Sequence, residues 1–155
     1  RLFSMFKYLL LGMVGAGKST LFNMLRGVNE AAGKTQAVDY DLSGGVETPG
    51  EFFCFHQFYP AVLSLTSEAD TIVYVHAADD PECHMPPGLL EVYRDRQLIV
   101  VITKADLPGV DVKATEAMLR ANGLEERQFF IVGKNEEASY QHLMAWIDAN
   151  AGEHA

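Results

Sequence analysis

The sequence predicts a single α/β domain over residues 1–155. We expect a mainly parallel sheet with helices on both faces and one short antiparallel edge strand. Three apolar runs of strand length, 6–11, 71–78 and 97–102, alternate with helical patterns. Strands that are apolar throughout are typical of parallel sheets covered on both faces. In addition, a glycine-rich loop joins the first run to a helix. In such sheets ligands bind at the carboxyl ends of the strands.

The helices are predicted from apolar spacing and from glycine stops. The first is expected over 20–26, ending at Gly27, and the last has four apolar residues on one face between 140 and 147. The other predicted elements are an alternating edge strand over 36–42, a short strand end over 46–50, helices near 59–66, 89–94 and 112–122, and a last strand over 127–132.

Composition excludes several classes of protein. The formal net charge of −9 argues against nucleic acid or an anionic membrane as a partner, because either requires a basic face. The 2 cysteines are too few for a disulfide scaffold, and the longest apolar runs are only of strand length. We expect a cytoplasmic protein with reduced thiols. Residues 1–4 precede Met5, which can serve as a natural start, so we expect them to be a cloning remnant.

Residues 12–19 fit the phosphate-binding pattern G-x-x-x-x-G-K-[ST] without a mismatch. Its glycines let successive backbone N–H groups turn toward phosphate oxygens. Lys18 can reach the β- and γ-phosphates, and the Ser19 hydroxyl can bind Mg²⁺. The alternative is a glycine turn without a ligand. The nucleotide-binding residues predicted here are Gly12, Val14, Gly15, Ala16, Gly17, Lys18, Ser19 and Thr20.

Three further stretches carry a family likeness: Lys34-Thr35-Gln36-Ala37, Thr48-Pro49-Gly50-Glu51 and Thr103-Lys104-Ala105-Asp106. With the phosphate loop, they make the chain resemble the Ras-like P-loop GTPases from residue 6 to about 149. Within that superfamily the chain is similar to the EutP/PduV small GTPases of ethanolamine and propanediol utilisation. Those proteins are linked to bacterial microcompartments.

The resemblance implies a magnesium site and a hydrolytic centre. Thr35 would join Ser19 on Mg²⁺ when a γ-phosphate is present; alternatively, Thr35 caps an edge strand. Glu47 stands where the family pattern D-x-x-G has the aspartate that holds Mg²⁺ through water. Its extra methylene puts that contact in doubt. Gly50 would sense the γ-phosphate, although Pro49-Gly50 also suits a simple turn.

Two departures from the Ras pattern predict slow hydrolysis. Glu51 stands where Ras has the glutamine that orients the attacking water, and a carboxylate repels a γ-phosphate. The alternative is a solvated loop acid. Val14 replaces a glycine that admits an arginine finger, and its branched side chain would crowd one. The expected catalytic residues are Lys18, Thr35, Gly50 and Glu51.

The stretch from Thr103 to Asp106 resembles the guanine motif [NT]-K-x-D. Asp106 would accept hydrogen bonds from guanine N1–H and N2–H₂, and Lys104 would lie along the base. Alternatively, Asp106 caps a helix. Thr103 in place of asparagine is expected to lose a tether between loops. Val132-Gly133-Lys134 falls where the family has S-A-K and matches only in its small central residue and its lysine, and the Gly133 N–H could meet guanine O6.

One cluster has an uncertain role: His76, Asp79, Asp80, Cys83 and His84 lie within nine residues but fit no regular zinc spacing. We expect His76 to end a strand and the others to face water, rather than a metal site.

The predicted function is a guanine-nucleotide switch that binds GTP and GDP with Mg²⁺ and hydrolyses GTP slowly. Shell or lumen proteins of a microcompartment are the expected partners. Two alternatives remain. An acetate kinase-type phosphotransferase would need a second pocket beside the γ-phosphate and a positive charge, and no arginine obviously supplies that charge. A non-hydrolysing adaptor of the microcompartment would use the nucleotide only structurally.

Overall fold

The computed structural model describes residues 6–31, 44–48 and 56–152. Within these ranges five strands form one sheet in the order β2-β1-β3-β4-β5. In chain order the elements are β1 (Phe6–Leu11), α1 (Lys18–Ala31), β2 (Gly45–Glu47), a 3-10 turn (His56–Phe58), α2 (Tyr59–Thr66), β3 (Ala69–Ala77), α3 (Pro87–Val92), β4 (Leu98–Thr103), α4 (Val112–Leu119), a π-turn (Arg120–Leu124), β5 (Gln128–Ile131) and α5 (Glu137–Ala149).

The predicted α/β fold with a parallel sheet is confirmed. Every pair of neighbouring strands among the described residues runs parallel, with registers such as Leu10 opposite Glu47 and Leu10 opposite Val73. The antiparallel edge strand is not confirmed, because its predicted span, 36–42, lies outside the described residues. Since all five strands point the same way, their carboxyl ends meet at one edge of the sheet.

Helices cover both faces of the sheet, and each face has its own apolar core. Side chains alternate along β1, so Tyr8 and Leu10 join the first core while Leu9 and Leu11 join the second. Helices α1 and α5 pack on the first face, and α2, α3 and α4 on the second. Their contacts are Leu21, Phe22, Leu25, Tyr140, Leu143, Met144 and Ile147 on the first face, and Val62, Leu89 and Leu119 on the second.

The predicted end of α1 is wrong. The helix continues through Gly27 to Ala31, because Gly27 is exposed and a side chain there would meet nothing. Glycine inside a helix costs only about 1 kcal/mol relative to alanine, which the packed face of α1 offsets. Gly123 does end a helix: it follows α4 within the π-turn and has a φ of 105°.

Spacing predicted the last helix correctly. The four apolar residues between 140 and 147 are all buried on the inner face of α5. Among the described helices, none has the length and apolar character needed to cross a membrane.

Candidate nucleotide-binding site

The loop between β1 and α1 has the backbone that its glycines predicted. Gly15 and Gly17 have φ angles of 85° and 93°, which side chains rarely tolerate. Gly12 lies against β3, where an added Cβ would stand 2.6 Å from the Val75 carbonyl oxygen. Ala16 is buried against the first core. Close packing and left-handed turns therefore fix the curvature of this loop.

Lys18 is held across the loop rather than extended into solvent. Its side chain is only 6% exposed, and Nζ donates to the carbonyl oxygens of Gly12 at 2.9 Å and Met13 at 3.0 Å. Lys18 is also the first residue of α1, so the ammonium adds to the positive end of the helix dipole. The loop thus concentrates positive charge where a phosphate would lie.

Ser19 and Glu47 come together at the start of α1. The Ser19 hydroxyl donates to Glu47 Oε1 at 2.8 Å, because β2 pairs with β1 and places Glu47 beside the loop. A hydroxyl and a carboxylate are the hard oxygen ligands that Mg²⁺ prefers. The longer glutamate side chain therefore reaches the Ser19 hydroxyl, and the oxygens of this pair fit such a cation, although the metal role of Glu47 stays a prediction.

Other predicted parts of the phosphate site cannot be placed. Thr35, Gly50 and Glu51 lie outside the described residues, so their catalytic and metal roles stay predictions. Val14 is described and is 66% exposed at the outer surface of the phosphate loop. The expectation that the Val14 side chain would crowd an arginine finger stays a prediction.

The last residue of β4 and the residue that follows it bind the phosphate loop directly. The Thr103 hydroxyl donates to the Ala16 carbonyl oxygen at 2.6 Å, and Lys104 Nζ donates to the Gly15 carbonyl oxygen at 2.9 Å. Lys104 has a φ of 59°, the left-handed conformation, in a non-glycine residue. The expectation that Thr103 loses the tether between the loops is wrong, because the threonine hydroxyl makes that contact.

Replacing Thr103 by valine is expected to remove this tether with little change of shape. The buried Ala16 carbonyl would lose its donor, at a cost of about 1–3 kcal/mol in the free energy of unfolding. Nucleotide affinity should fall as well, because the phosphate loop is held less firmly. Thr115→Val is the matched control: Thr115 donates to the Ala78 carbonyl oxygen at 2.8 Å, away from the phosphate loop. Equal losses of affinity in both variants would contradict the tether.

A cleft of about 300 Å³ opens beside the phosphate loop. The loops after β4 and β5 form its walls and are joined by a bond from the Ala105 N–H to the Val132 carbonyl oxygen at 3.2 Å. Asp106 lines the cleft, whereas the carboxylate that caps α4 is that of Asp111, which accepts from the Ala114 N–H. The lining comprises Gly17, Thr20, Leu21, Thr103, Lys104, Asp106, Leu107, Val132, Lys134 and Tyr140.

The structure thus brings together the residues predicted for phosphate and base. Gly17 and Thr20 line the same cleft as Asp106 and Lys134. Gly133 is buried and lies next to Asp106, since an added Cβ there would stand 3.2 Å from the Asp106 Cβ. The loop predicted to bind phosphate and the carboxylate predicted to read a base therefore border one opening.

A family model supplies the identity. The model for ethanolamine utilisation and propanediol utilisation proteins, PduV-EutP, matches residues 5–149. The chain belongs to the PduV-EutP family. It is 43% identical over 138 residues to the probable acetate kinase EutP of Salmonella typhimurium. The matched residues make up 89% of this chain and 86% of that protein. The propanediol utilisation protein PduV of Citrobacter freundii is 35% identical over 144 residues, 92% of this chain and 93% of that protein.

Solved structures agree on the fold of this family member. Translation elongation factor SelB from Methanococcus maripaludis, in complex with the GTP analogue GppNHp, matches 99% of the chain with a TM-score of 0.66 and 19% identity. The chain spans only 36% of SelB. The FeoB G-domain from Methanococcus jannaschii has a TM-score of 0.59 at 20% identity, covering 92% of this chain and 95% of that domain. The fold is therefore that of the P-loop GTPases.

Four cleft residues of this PduV-EutP protein were missed from the sequence as site residues: Leu21, Leu107, Val132 and Tyr140. Tyr140 was predicted to be core or near-core, and it is buried, yet it also lines the cleft. Burial raises the Tyr140 pKa, and the carboxylates of Asp106 and Glu136 raise it further. The helical spacing predicted only that Tyr140 lies on the buried face of the helix. Spacing along one helix could not have shown that Tyr140 also lines the cleft.

The loop after β3 departs from the prediction. His76 was expected to end the strand but is the last residue but one of β3, and the residues after it do not all face water. His84 and Cys83 are half-buried, and His84 Nε2 pairs with Asp80 Oδ2 at 2.7 Å. His76 bridges the Tyr74 hydroxyl and the Asp80 carbonyl oxygen, both at 2.9 Å. Among the described residues, no group of three or more histidine, cysteine or acidic side chains could hold a metal ion.

Burial lowers the His76 pKa, and the neighbouring His84 lowers it further. Asp79 and Asp80 raise this pKa, but by less than burial lowers it. His76 therefore takes up a proton at a lower pH in the native state than in the unfolded chain, whose imidazole titrates near the ordinary value of 6.5. Stability from this residue is complete above that value and is lost as the pH falls below it. We expect His76→Gln to flatten the decline in the free energy of unfolding between about pH 7.5 and 5.5. Urea unfolding measures this decline. The exposed His142, changed to Gln, should leave the decline unaltered.

Proposed function

We propose that this chain is a guanine-nucleotide-binding GTPase of ethanolamine or propanediol utilisation, with slow Mg²⁺-dependent hydrolysis. The observation that carries the proposal is the joining of the two predicted motifs. Thr103 and Lys104 donate to carbonyl oxygens of the phosphate loop, so Asp106 faces the same opening as that loop. A phosphate and a base of one nucleotide can therefore be bound together.

Among the described residues, one set is proposed to bind the phosphates and the metal, and another residue is proposed to bind the base. The ammonium of Lys18 and the backbone N–H groups of the phosphate loop would stabilise charge on the β- and γ-phosphates. Ser19 and Glu47 would hold Mg²⁺, which supplies charge neutralisation at the transferred phosphoryl group. Asp106 would select guanine, because adenine has no pair of donors to offer its two oxygens. Thr35, Gly50 and Glu51 are proposed to complete the hydrolytic centre.

The cellular setting follows from the family. Its members' names refer to ethanolamine and propanediol utilisation, and we propose cytoplasmic action with shell or lumen proteins of a microcompartment as partners. The net charge of −9 supports a protein or small-molecule partner rather than nucleic acid.

The names of two relatives favour a second function, transfer of a phosphoryl group to acetate. That reaction needs an anion pocket beside the phosphate loop. The described pocket there, of about 330 Å³, is bordered by Val14, Asp79 and Asp80. Two carboxylates disfavour an acetate ion, and Lys104, the cation beside it, already donates to the Gly15 carbonyl oxygen. Although Asp80 also pairs with His84, the charge of this pocket argues against an acetate site there.

One experiment separates these functions from a non-hydrolysing adaptor. The nucleotide-free protein is incubated with GTP or ATP and Mg²⁺, with and without acetate, while phosphate and acetyl phosphate are measured. Phosphate released from GTP without acetate supports the GTPase. Acetyl phosphate formed only when acetate is present supports the kinase. Nucleotide binding without any turnover supports the adaptor. Lys18→Ala is the background control in each case.

A further inference from the structure

The turn that begins α5 brings a second carboxylate back toward the base cleft. Glu136 occupies the N-cap position of α5, yet its side chain makes no capping hydrogen bond. Its N–H donates to the Gly133 carbonyl oxygen at 3.1 Å, closing a tight turn. In this turn Glu136 Oε1 stands only 2.8 Å from where a Cβ on Gly133 would lie.

Glu136 therefore fills the space that a side chain at position 133 would need. An alanine methyl at position 133, where the family pattern S-A-K has alanine, would displace the end of the exposed Glu136 side chain from this position. The same Cβ position is 3.2 Å from the Asp106 Cβ. Gly133 is thus enclosed between two acidic side chains, Glu136 and Asp106.

Tyr140 gives an independent sign that both acids act at the cleft. It lies one helical turn after Glu136 and lines the cleft with Asp106. Burial raises its pKa, and both carboxylates add to that rise. Both carboxylates therefore act on Tyr140, which is one of the residues that line the cleft.

We propose that Glu136 is a second base-selecting residue, which weakens the preference of this cleft for guanine over adenine. The inference rests on the proposed function, in which a purine occupies the cleft and the Gly133 N–H meets position 6 of the ring. Guanine has an oxygen at that position, which a nearby carboxylate repels. Adenine has an amino group there, which a carboxylate attracts. Asp106 and Glu136 thus act in opposite directions on the choice of base.

The test compares Glu136→Gln with Glu137→Gln in the full chain. Glu137 is an exposed acid in the first turn of the same helix, so its change removes the same charge from the same helix end. Calorimetric titration with GDP and ADP in Mg²⁺ gives the ratio of the two dissociation constants. We expect Glu136→Gln to raise the preference for GDP over ADP about tenfold. The reason is that the glutamine amide can donate a hydrogen bond to the guanine oxygen that the carboxylate repels. Glu137→Gln should leave the ratio unchanged.

A second variant, Glu136→Ala, removes the repulsion without adding a donor, and should raise the preference in the same direction by a smaller factor. If wild type binds GDP but neither Glu136 variant alters the ratio, the inference fails and the proposed function stands. If Glu137→Gln alters the ratio equally, the effect is general charge and the inference again fails. If wild type binds neither nucleotide, the proposed function itself is overturned.

Discussion

Lys18→Ala is expected to abolish detectable nucleotide binding. The ammonium is buried and held by the carbonyl oxygens of Gly12 and Met13, in the position where it would face the phosphates. Alanine removes the positive charge of the loop and leaves those two carbonyls without this donor. Calorimetric titration with GDP and GTP should then show a loss of affinity on the order of 10²-fold or more, as expected for a charge-assisted contact to phosphate.

The control for this variant is Lys113→Ala, which removes an exposed lysine from α4. Circular dichroism and thermal unfolding establish that both variants are folded. An affinity for GDP within threefold of wild type in folded Lys18→Ala would refute the assignment of the loop to phosphate binding.

Asp106→Asn is expected to change which base the cleft accepts. The carboxylate offers two acceptors to guanine N1–H and N2–H₂, whereas an amide offers one acceptor and a donor. Xanthine has an oxygen in place of the guanine amino group, so its nucleotides should bind the variant in preference to GTP. Sites that read a base by paired hydrogen bonds discriminate by roughly 10²–10⁵-fold. We expect GDP affinity to fall at least a hundredfold, on the order of that range.

Competition between labelled GDP and unlabelled xanthosine diphosphate measures this reversal. Asp95→Asn, at an exposed position before β4, controls for the loss of one negative charge. Undiminished selectivity for GDP in Asp106→Asn would mean that another group reads the base, and the assignment of Asp106 would be withdrawn.

Local patterns predicted the fold well, because the strands are buried on both faces and their apolar runs are continuous. The same patterns placed the four inner residues of α5 correctly. Gly27 misled the prediction of α1, since an exposed glycine is tolerated in a helix whose other face is packed. Propensity is a weak signal wherever packing decides the outcome.

The site was predicted as separate motifs, but not as contacts between them. No spacing rule links Thr103 to Ala16 or Ser19 to Glu47, because each contact depends on how parallel strands bring distant loops to one edge. The role proposed for Glu136 could not be predicted for the same reason, because it depends on a turn that brings the Glu136 carboxylate next to Gly133.

The left-handed backbone of Lys104 has an evolutionary consequence. Such a conformation costs a non-glycine residue about 1 kcal/mol, and glycine would relieve that cost. Glycine would also remove the ammonium that reaches the Gly15 carbonyl oxygen. A population of variants selected in the laboratory for heat resistance alone should therefore drift away from lysine at this position and lose ligand affinity. Retention of Lys104 under such selection would instead indicate that the contact with the phosphate loop outweighs the backbone strain.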